Sequence, residues 1–166
     1  ANYWDERGTD EGNKLKEAGF EHYELSNFAK PGYYSKNNSA YWLGKPYIGI
    51  GPSAHSFNGD QRAWNVKNNS VYIKKIEANQ LPLEIETLSQ NDKYNEFVMT
   101  GLRTSWGISL KTISSRFGDH YKDFLLNQAQ FYITKHLLYI DNDSLKATKK
   151  GKFLTDGIAS ELFMLN

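Results

Sequence analysis

The chain has 166 residues, no cysteine and a formal net charge of +1 at pH 7. Without thiolates it can form no disulfide and can hold no iron–sulfur cluster on its own, and its near-zero charge argues against nucleic acid as a partner. It has neither a signal peptide nor an apolar run near the roughly 18 residues that span a bilayer, so we expect a cytoplasmic protein with a substantial buried core.

The first half of the chain alternates helical and extended patterns. Gly19 follows a short helical pattern, and glycine is favoured just past a helix C-terminus. The residues after it alternate between apolar and polar, as in a β-strand. In chain order we predict the end of a helix at residues 13–18, a strand at 20–25, a loop at 27–41, a buried strand at 46–50 and a helix at 70–79.

The second half is mainly helical. Ser89 and Asp92 have the spacing of a capping pair, which predicts a helix start, and the run Asp141–Asp143 is a turn signal between two short strands. In chain order we predict a helix burying Tyr94, Phe97, Val98 and Leu102, helices over 109–117 and 119–135, strands at 138–140 and 145–147, and a last helix from Thr148 with Phe153, Leu154, Ile158, Leu162 and Phe163 facing inward. This order is typical of a winged-helix-like module, and we place its boundary near residues 81–83.

A glycine-rich turn follows the short apolar run of residues 47–50. Gly49, Gly51 and Ala54 remove side-chain bulk, which would let an adenine ring or a phosphate approach the backbone. The turn lacks the G-x-G-x-x-G and G-K-[ST] patterns of dinucleotide and Walker sites. His55 could be a polar contact, a proton donor or a metal ligand, whereas a lone histidine after such a turn is more often a structural group.

Two short segments combine polar and aromatic side chains. Asn38 could anchor a planar ligand that stacks on Tyr41 or Trp42, or the aromatic rings could simply fix the loop to the neighbouring structure. Arg62 could hold a carboxylate with two hydrogen bonds, or it could form an ordinary surface ion pair.

Other polar residues give weaker signals. We find no Ser–His–Asp arrangement, no paired carboxylates and no metal-ligand spacing of histidines, so we predict neither a catalytic residue nor a metal site. Lys149, Lys150 and Lys152 form a small basic cluster close to the predicted hairpin. Such a cluster is usually a solvated face, and a winged helix that binds nucleic acid is the less favoured alternative.

Four segments resemble one protein family in their order and spacing. They are YELSNFAKPG at residues 23–32, NNSAYW at 37–42, YIGIGPSAHS at 47–56 and RAWN at 62–65. They are similar to the oxygen-independent coproporphyrinogen III oxidase-like branch of the radical S-adenosylmethionine (SAM) enzymes, above all to its haem chaperones. The resemblance implies an α/β plus α fold, in which the C-terminal remnant of a partial (β/α)6 radical SAM barrel (residues 1–80) precedes a helical winged-helix-like domain (residues 81–166).

The resemblance also implies cofactors. Members of the family bind a [4Fe–4S] cluster through a C-x-x-x-C-x-x-C motif early in the barrel, and the cluster cleaves SAM to a 5′-deoxyadenosyl radical. This chain lacks the motif, so we expect it to be a C-terminal fragment, inactive alone, whose partner is the upstream barrel half of the same protein. The family resemblance implies that Gly49, Gly51, Pro52, Ser53, Ala54 and His55 lie near the adenosyl end of SAM.

The haem motif of the chaperones, H-N-x-x-Y-W, is matched in part. Asn38, Tyr41 and Trp42 agree with it and are expected to bind haem, whereas Asn37 stands in place of the histidine. An amide oxygen is a poorer iron ligand than imidazole, so His55 or another histidine would have to substitute. The leading expectation is a haem chaperone. The alternatives are a coproporphyrinogen III oxidase and a winged-helix binding module.

Overall fold

The computed structural model describes residues 12–165, and its first part consists of short elements. They are a helix over residues 12–17 (α1), strands β1 (Glu21–Glu24) and β2 (Asn27–Ala29), helix α2 (Lys36–Trp42), strands β3 (His55–Phe57) and β4 (Gln61–Asn65), helix α3 (Asn69–Glu77) and strand β5 (Leu83–Thr87). The helix predicted at 13–18, the strand at 20–25 and the helix at 70–79 are confirmed. The expected helix remnant before residue 12 lies outside the described residues.

The second part is helical with one small sheet. It contains helix α4 (Gln90–Arg103), strand β6 (Ile108–Ser109), helices α5 (Leu110–Phe117) and α6 (Asp119–Thr134), strands β7 (Leu138–Asp141) and β8 (Ser144–Ala147), a 3₁₀ turn over Gly151–Leu154 and helix α7 (Thr155–Glu161). The predicted capping box is confirmed, because Ser89 and Asp92 each hydrogen-bond to the backbone N–H of the other. The predicted hairpin is also present as β7 and β8.

Three antiparallel sheets connect these elements. β1 pairs with β2, β4 lies between β3 and β5, and β8 lies between β6 and β7. All strand pairs of residues 12–165 are antiparallel. The structure is therefore mixed α/β, while the barrel remnant and the winged-helix description stay predictions. The boundary at residues 81–83 also stays a prediction, and β5, which follows it directly, pairs with β4.

The hydrophobic core lies in the second part. Tyr94, Val98 and Leu102 of α4 are four residues apart, so they share one buried face; Phe97 packs beside them but is only partly buried. The other buried members are Ile108, Ile113, Leu125, Ala129, Leu138, Leu145, Ile158, Ala159 and Leu162. Among the described residues before 88, the buried hydrophobic side chains are Tyr23 and Ala29. The first part therefore has almost no core of its own.

Residues 46–50 do not form the predicted buried strand. Tyr47 makes one isolated bridge to β3, while the side chains of Ile48 and Ile50 are 82% and 87% exposed. Two residues further on, the backbone N–H of Gly49 donates to the side-chain hydroxyl of Ser56 and not to a backbone carbonyl of β3. Because the strand ladder stops there, the apolar run has no sheet to bury it.

Residues 27–41 are more regular than the predicted loop. They contain β2 and most of α2. The N–H of Asn38 donates to the Ser35 hydroxyl over 3.3 Å, which caps the helix. Asparagine and serine are weak helix formers in general, and here the cap and the aromatic contacts of Tyr41 and Trp42 outweigh that preference.

The last helix begins later than predicted, after a 3₁₀ turn over residues 151–154. Ile158 and Leu162 are buried, as predicted. Phe153 and Leu154 were expected to face inward, but their side chains are 55% and 52% exposed.

Two backbone segments, at Gly151 and Leu137, approach each other closely, and this explains why Phe153 and Leu154 are exposed. A Cβ atom on Gly151 would lie 1.9 Å from the carbonyl oxygen of Leu137. The N–H of Gly151 also donates to the Thr148 hydroxyl over 3.0 Å. These contacts fix the tight turn, which leaves Phe153 and Leu154 more than half exposed.

We expect Tyr94→Phe to reduce the free energy of unfolding by about 1–2 kcal/mol. The Tyr94 side chain is fully buried, its hydroxyl donates to the carbonyl of Leu162 over 3.1 Å, and burial raises its pKa, so it remains a neutral donor. Its loss leaves that buried carbonyl without a partner. Urea unfolding would measure the change, with Tyr139→Phe as the exposed control. Equal stability of the two variants would contradict the role of this hydrogen bond.

Candidate functional site

A cleft of about 780 Å³ separates the β3–β4–β5 sheet and the end of α2 from α4. Side chains on one face of the sheet line it, because strand residues alternate between faces and pair across strands. His55 of β3, Arg62 of β4 and Glu86 of β5 lie on this face. Glu96 and Arg103 of α4 face them across the cleft. Binding sites for small molecules commonly have volumes in this range.

Three aromatic side chains form one wall of the cleft. The rings of Tyr41 and Trp42 are 4.8 Å apart between centroids at 79°, and those of Tyr41 and Tyr47 are 5.7 Å apart at 52°. Burial, and then the neighbouring Tyr41, raise the pKa of Tyr47, so its phenol stays neutral. Such a wall offers apolar faces on which a flat ligand can stack.

Arg62 places a cation in the cleft. Its Nη2 lies 2.6 Å from Oε2 of Glu96, which joins β4 to α4. About a third of each of these two side chains remains exposed. A partly solvated pair of this kind contributes little to stability, and its guanidinium can bind a ligand carboxylate with two hydrogen bonds.

Arg103 supplies a second cation from the end of α4. Its Nε is 3.4 Å from Oε1 of Glu24, and its Nη1 donates to Oδ1 of Asp156 over 2.9 Å. The guanidinium also lies 5.2 Å from the centre of the Trp42 ring. Arg103 therefore connects β1, α7 and the aromatic wall.

Glu24 is a charged side chain that is only 2% exposed. Its Oε2 accepts hydrogen bonds from the backbone N–H of Ser26 and the side-chain amide of Asn27. Asn27 in turn accepts from the Asn38 amide over 3.1 Å. A buried carboxylate requires such partners, so this network orders the segment that carries the aromatic wall.

The structure brings three of the predicted site residues together. Tyr41, Trp42 and His55 line the cleft. Asn38 is not among the lining residues, and its side-chain amide donates to Asn27. Asn37 is exposed at the start of α2, one helical turn before Tyr41. The functional roles assigned to these residues stay predictions.

The glycine turn lies beside the cleft. The side-chain amide of Asn65 donates to the carbonyls of Gly51 and Gly49, over 2.8 and 3.3 Å. The N–H groups of the same glycines donate to the hydroxyls of Ser56 and Tyr72, over 2.9 and 3.2 Å. The polar backbone groups of both glycines therefore have partners inside the protein.

Gly49 is explained by the path of the chain itself. A Cβ atom there would lie 2.2 Å from the backbone oxygen of His55, whereas Gly51 has φ of +101° and open space around its Cα. Both positions thus have a structural reason to be glycine. That Gly49, Gly51, Pro52, Ser53 and Ala54 approach SAM stays a prediction.

The described residues contain no group of three histidine or acidic side chains placed to hold a metal ion. The chain has no cysteine, so its donor atoms do not fit a [4Fe–4S] cluster. None of the helices within residues 12–165 is long and apolar enough to cross a membrane.

Sequence reasoning missed Arg103, Glu24 and Tyr47. A cation in the last turn of a helix is common because it interacts favourably with the helix dipole, so Arg103 gave no distinct signal. Glu24 looked like the polar end of a strand, and Tyr47 like a strand residue. Only the packing of β1 against the end of α4 shows that Arg103 and Glu24 form an ion pair.

Known proteins match this chain over most of its length. A family model described as the HemN C-terminal domain matches residues 88–154. The haem chaperone HemW of Mycobacterium tuberculosis is 31% identical over 150 residues, which are 90% of this chain and 36% of the relative. The haem chaperone HemW of Bacillus subtilis is 29% identical over 143 residues, 86% of this chain and 38% of the relative.

A solved structure has the same fold. It is that of coproporphyrinogen III oxidase (HemN) from Escherichia coli, described as a radical SAM enzyme. The TM-score is 0.71 at 19% sequence identity, and the match covers 94% of this chain and 40% of that one. The chain therefore spans well under half the length of these relatives.

We expect Arg103→Met to lower the free energy of unfolding by about 3–5 kcal/mol, because it leaves the buried Glu24 carboxylate without its cation. Adding Glu24→Gln should restore much of the loss, since the amide keeps the hydrogen bonds and carries no charge. Urea unfolding of the two single variants and the double variant gives the coupling energy. Lys122→Met, which removes a surface pair with Asp119, is the control. Simple additivity of Arg103→Met and Glu24→Gln would contradict the pairing.

Proposed function

This chain is a C-terminal part of a HemN-like radical SAM protein, as its sequence segments predicted, and we propose that it forms the haem-binding side of a haem chaperone. The observation that carries the proposal is the cleft between the sheet and α4, which combines an aromatic wall with two arginines and a histidine. Haem is the cargo in this proposal. The relatives named as haem chaperones support it.

The chemistry of the cleft suits haem. A porphyrin is flat and apolar, so it can stack on Tyr41 and Trp42. Its two propionates match the two cations, Arg62 and Arg103, which favour planar, two-point contact with carboxylates. Arg62 already has a carboxylate partner, so a propionate there would exchange one carboxylate for another. At Arg103 the second propionate would join the existing pairs with Glu24 and Asp156.

His55 is the candidate ligand for the haem iron. Within the described part of the chain, no hydrogen bond is made to its ring, so a ring nitrogen is free to bind. Asn65 fixes the turn that precedes it through the carbonyls of Gly49 and Gly51. Because the turn is already rigid, haem binding does not have to order the imidazole, so the entropic cost of binding is smaller.

The charge of the cleft favours haem over coproporphyrinogen, the substrate of the oxidase alternative. Glu86, Asp92 and Glu96 line the same cleft as the two arginines. A ligand with four propionates would place some of its carboxylates near these acids, whereas a ligand with two can pair both with arginine. The oxidase is therefore the second candidate, supported by the shared fold with HemN.

The remainder of the proposal concerns the longer protein. We propose that upstream residues complete a partial barrel of which residues 1–80 are the C-terminal remnant, and that residues 81–166 are its winged-helix-like domain. The upstream part would hold the [4Fe–4S] cluster that cleaves SAM reductively. Gly49, Gly51, Pro52, Ser53, Ala54 and His55 would lie near the adenosyl end of SAM. The cytoplasmic location expected from the sequence belongs to the same proposal.

Haem titration of the full-length protein tests the site. We expect a Soret band to appear on binding, His55→Ala to lose the band of the ligated iron, and Tyr41→Leu to weaken binding by about tenfold through lost stacking. His120→Ala is the matched control, because His120 is an exposed histidine of α6 outside the cleft. Identical Soret spectra for His55→Ala and the wild type would contradict the assigned ligand.

Asn37→His should strengthen haem binding and shift the Soret band. Residue 37 lies one turn before Tyr41 on the same face of α2, so the substitution adds an imidazole beside the aromatic wall. Spectra of the ferric complex before and after the substitution measure the effect. Asn37→Gln is the control, because it lengthens the side chain without adding an imidazole. If Asn37→His and Asn37→Gln bind haem alike, α2 does not face the bound haem.

A further inference from the structure

A second pocket, of about 440 Å³, lies where the end of β1 meets the second part of the chain. Its apolar lining comes from Leu25 after β1, Tyr132 at the end of α6, Leu137 before β7 and Ile158 of α7. Phe153 and Leu154, the exposed residues of the 3₁₀ turn, also line it. Within the described residues, the pocket shares no lining residue with the haem cleft.

Lys152 is the cation of this pocket. Its side chain is half-buried, and it makes no ion pair with a carboxylate of the described residues. Asp156, the carboxylate that shares the pocket, is paired with Arg103. Within residues 12–165, Lys152 is therefore a partly desolvated ammonium that faces apolar surface without a paired carboxylate.

Two further basic groups, Lys16 and His22, interact electrostatically with Lys152. Burial, and then the charge of Lys16, lower the pKa of Lys152. The charge of Lys152 in turn contributes to lowering the pKa of His22, whose main cause is burial. His22 is held in place by its ring stacked on Phe28 and by a hydrogen bond with the Leu25 carbonyl. The like charges of Lys16 and Lys152 raise the free energy of the free protein, and a bound anion would relieve this.

We propose that this pocket binds a small organic anion, a carboxylate with a short aliphatic body. The carboxylate pairs with Lys152 and gains from the positive potential of Lys16. The aliphatic body packs against Leu25, Leu137 and Ile158, where burial of each methylene group favours binding. A phosphate would leave the apolar lining unused, and haem is too large for a pocket little more than half the size of the cleft.

Calorimetric titration of the full-length protein with hexanoate, hexanol and inorganic phosphate tests this proposal. We expect hexanoate to bind, hexanol to bind at least tenfold more weakly because it lacks the charge, and phosphate to bind at least tenfold more weakly because it lacks the apolar body. This comparison uses the wild-type protein and needs no variant. Equal affinity for hexanoate and hexanol, or for hexanoate and phosphate, would overturn the proposal, as would the absence of hexanoate binding.

Substitutions at one residue then locate the site. Lys152→Met keeps the length of the side chain and removes its charge, and it should weaken hexanoate binding at least tenfold while hexanol binding stays unchanged. Lys152→Arg keeps the charge and should retain hexanoate binding. Lys149→Met is the matched control on an exposed lysine outside the pocket. If Lys149→Met and Lys152→Met weaken hexanoate binding to the same degree, the anion is bound by general surface charge and the proposal is wrong.

Discussion

The ion pair of the buried Glu24 with the partly exposed Arg103 joins the two parts of the chain. Backbone hydrogen bonds flank it on both sides, from Leu25 N–H to the Arg103 carbonyl (3.1 Å) and from Ser105 N–H to the Tyr23 carbonyl (3.0 Å). The first part buries few apolar side chains, so its position depends on these contacts and on the Arg62–Glu96 and Lys93–Asp60 pairs with α4. A buried carboxylate is costly unless it has partners; Oε2 of Glu24 accepts two hydrogen bonds, and Oε1 is compensated by the ion pair with Arg103.

Both pockets take part of their shape from the same guanidinium. Arg103 lies against the Trp42 ring at the cleft and pairs with Asp156 at the second pocket. One side chain thus sets the position of an aromatic wall on one side and of a carboxylate on the other. Because the three partners of Arg103 come from β1, α2 and α7, a change at any of them alters the packing around both pockets.

Local signals in the sequence predicted the second part well. The Ser89–Asp92 cap, the spacing of Tyr94, Val98 and Leu102, and the turn at Asp141–Asp143 each depend on residues a few positions apart. Contacts between distant residues caused the failures. The apolar run at 46–50 is exposed because it gains only one bridge, and the turn at Gly151 follows from its approach to a residue of the preceding segment.

The candidate site shows the same division between residues that a local motif identifies and residues that only long-range contacts bring together. Tyr41, Trp42 and His55 belong to sequence motifs, so the family resemblance alone was enough to point to them. Arg103 and Glu24 are distant in sequence, and neither belongs to a motif that names its partner. The sequence also suggested a ligand at Gly49, and the structure adds a reason for that glycine within the chain itself, the close backbone of His55.

A crystal structure of the full-length protein with haem bound would test the central claim most directly, because it locates both the porphyrin and the iron ligand. We predict the porphyrin in the cleft against Tyr41 and Trp42, its propionates at Arg62 and Arg103, and the iron bound by a ring nitrogen of His55. Haem bound elsewhere in the protein, with the cleft unchanged, would contradict it.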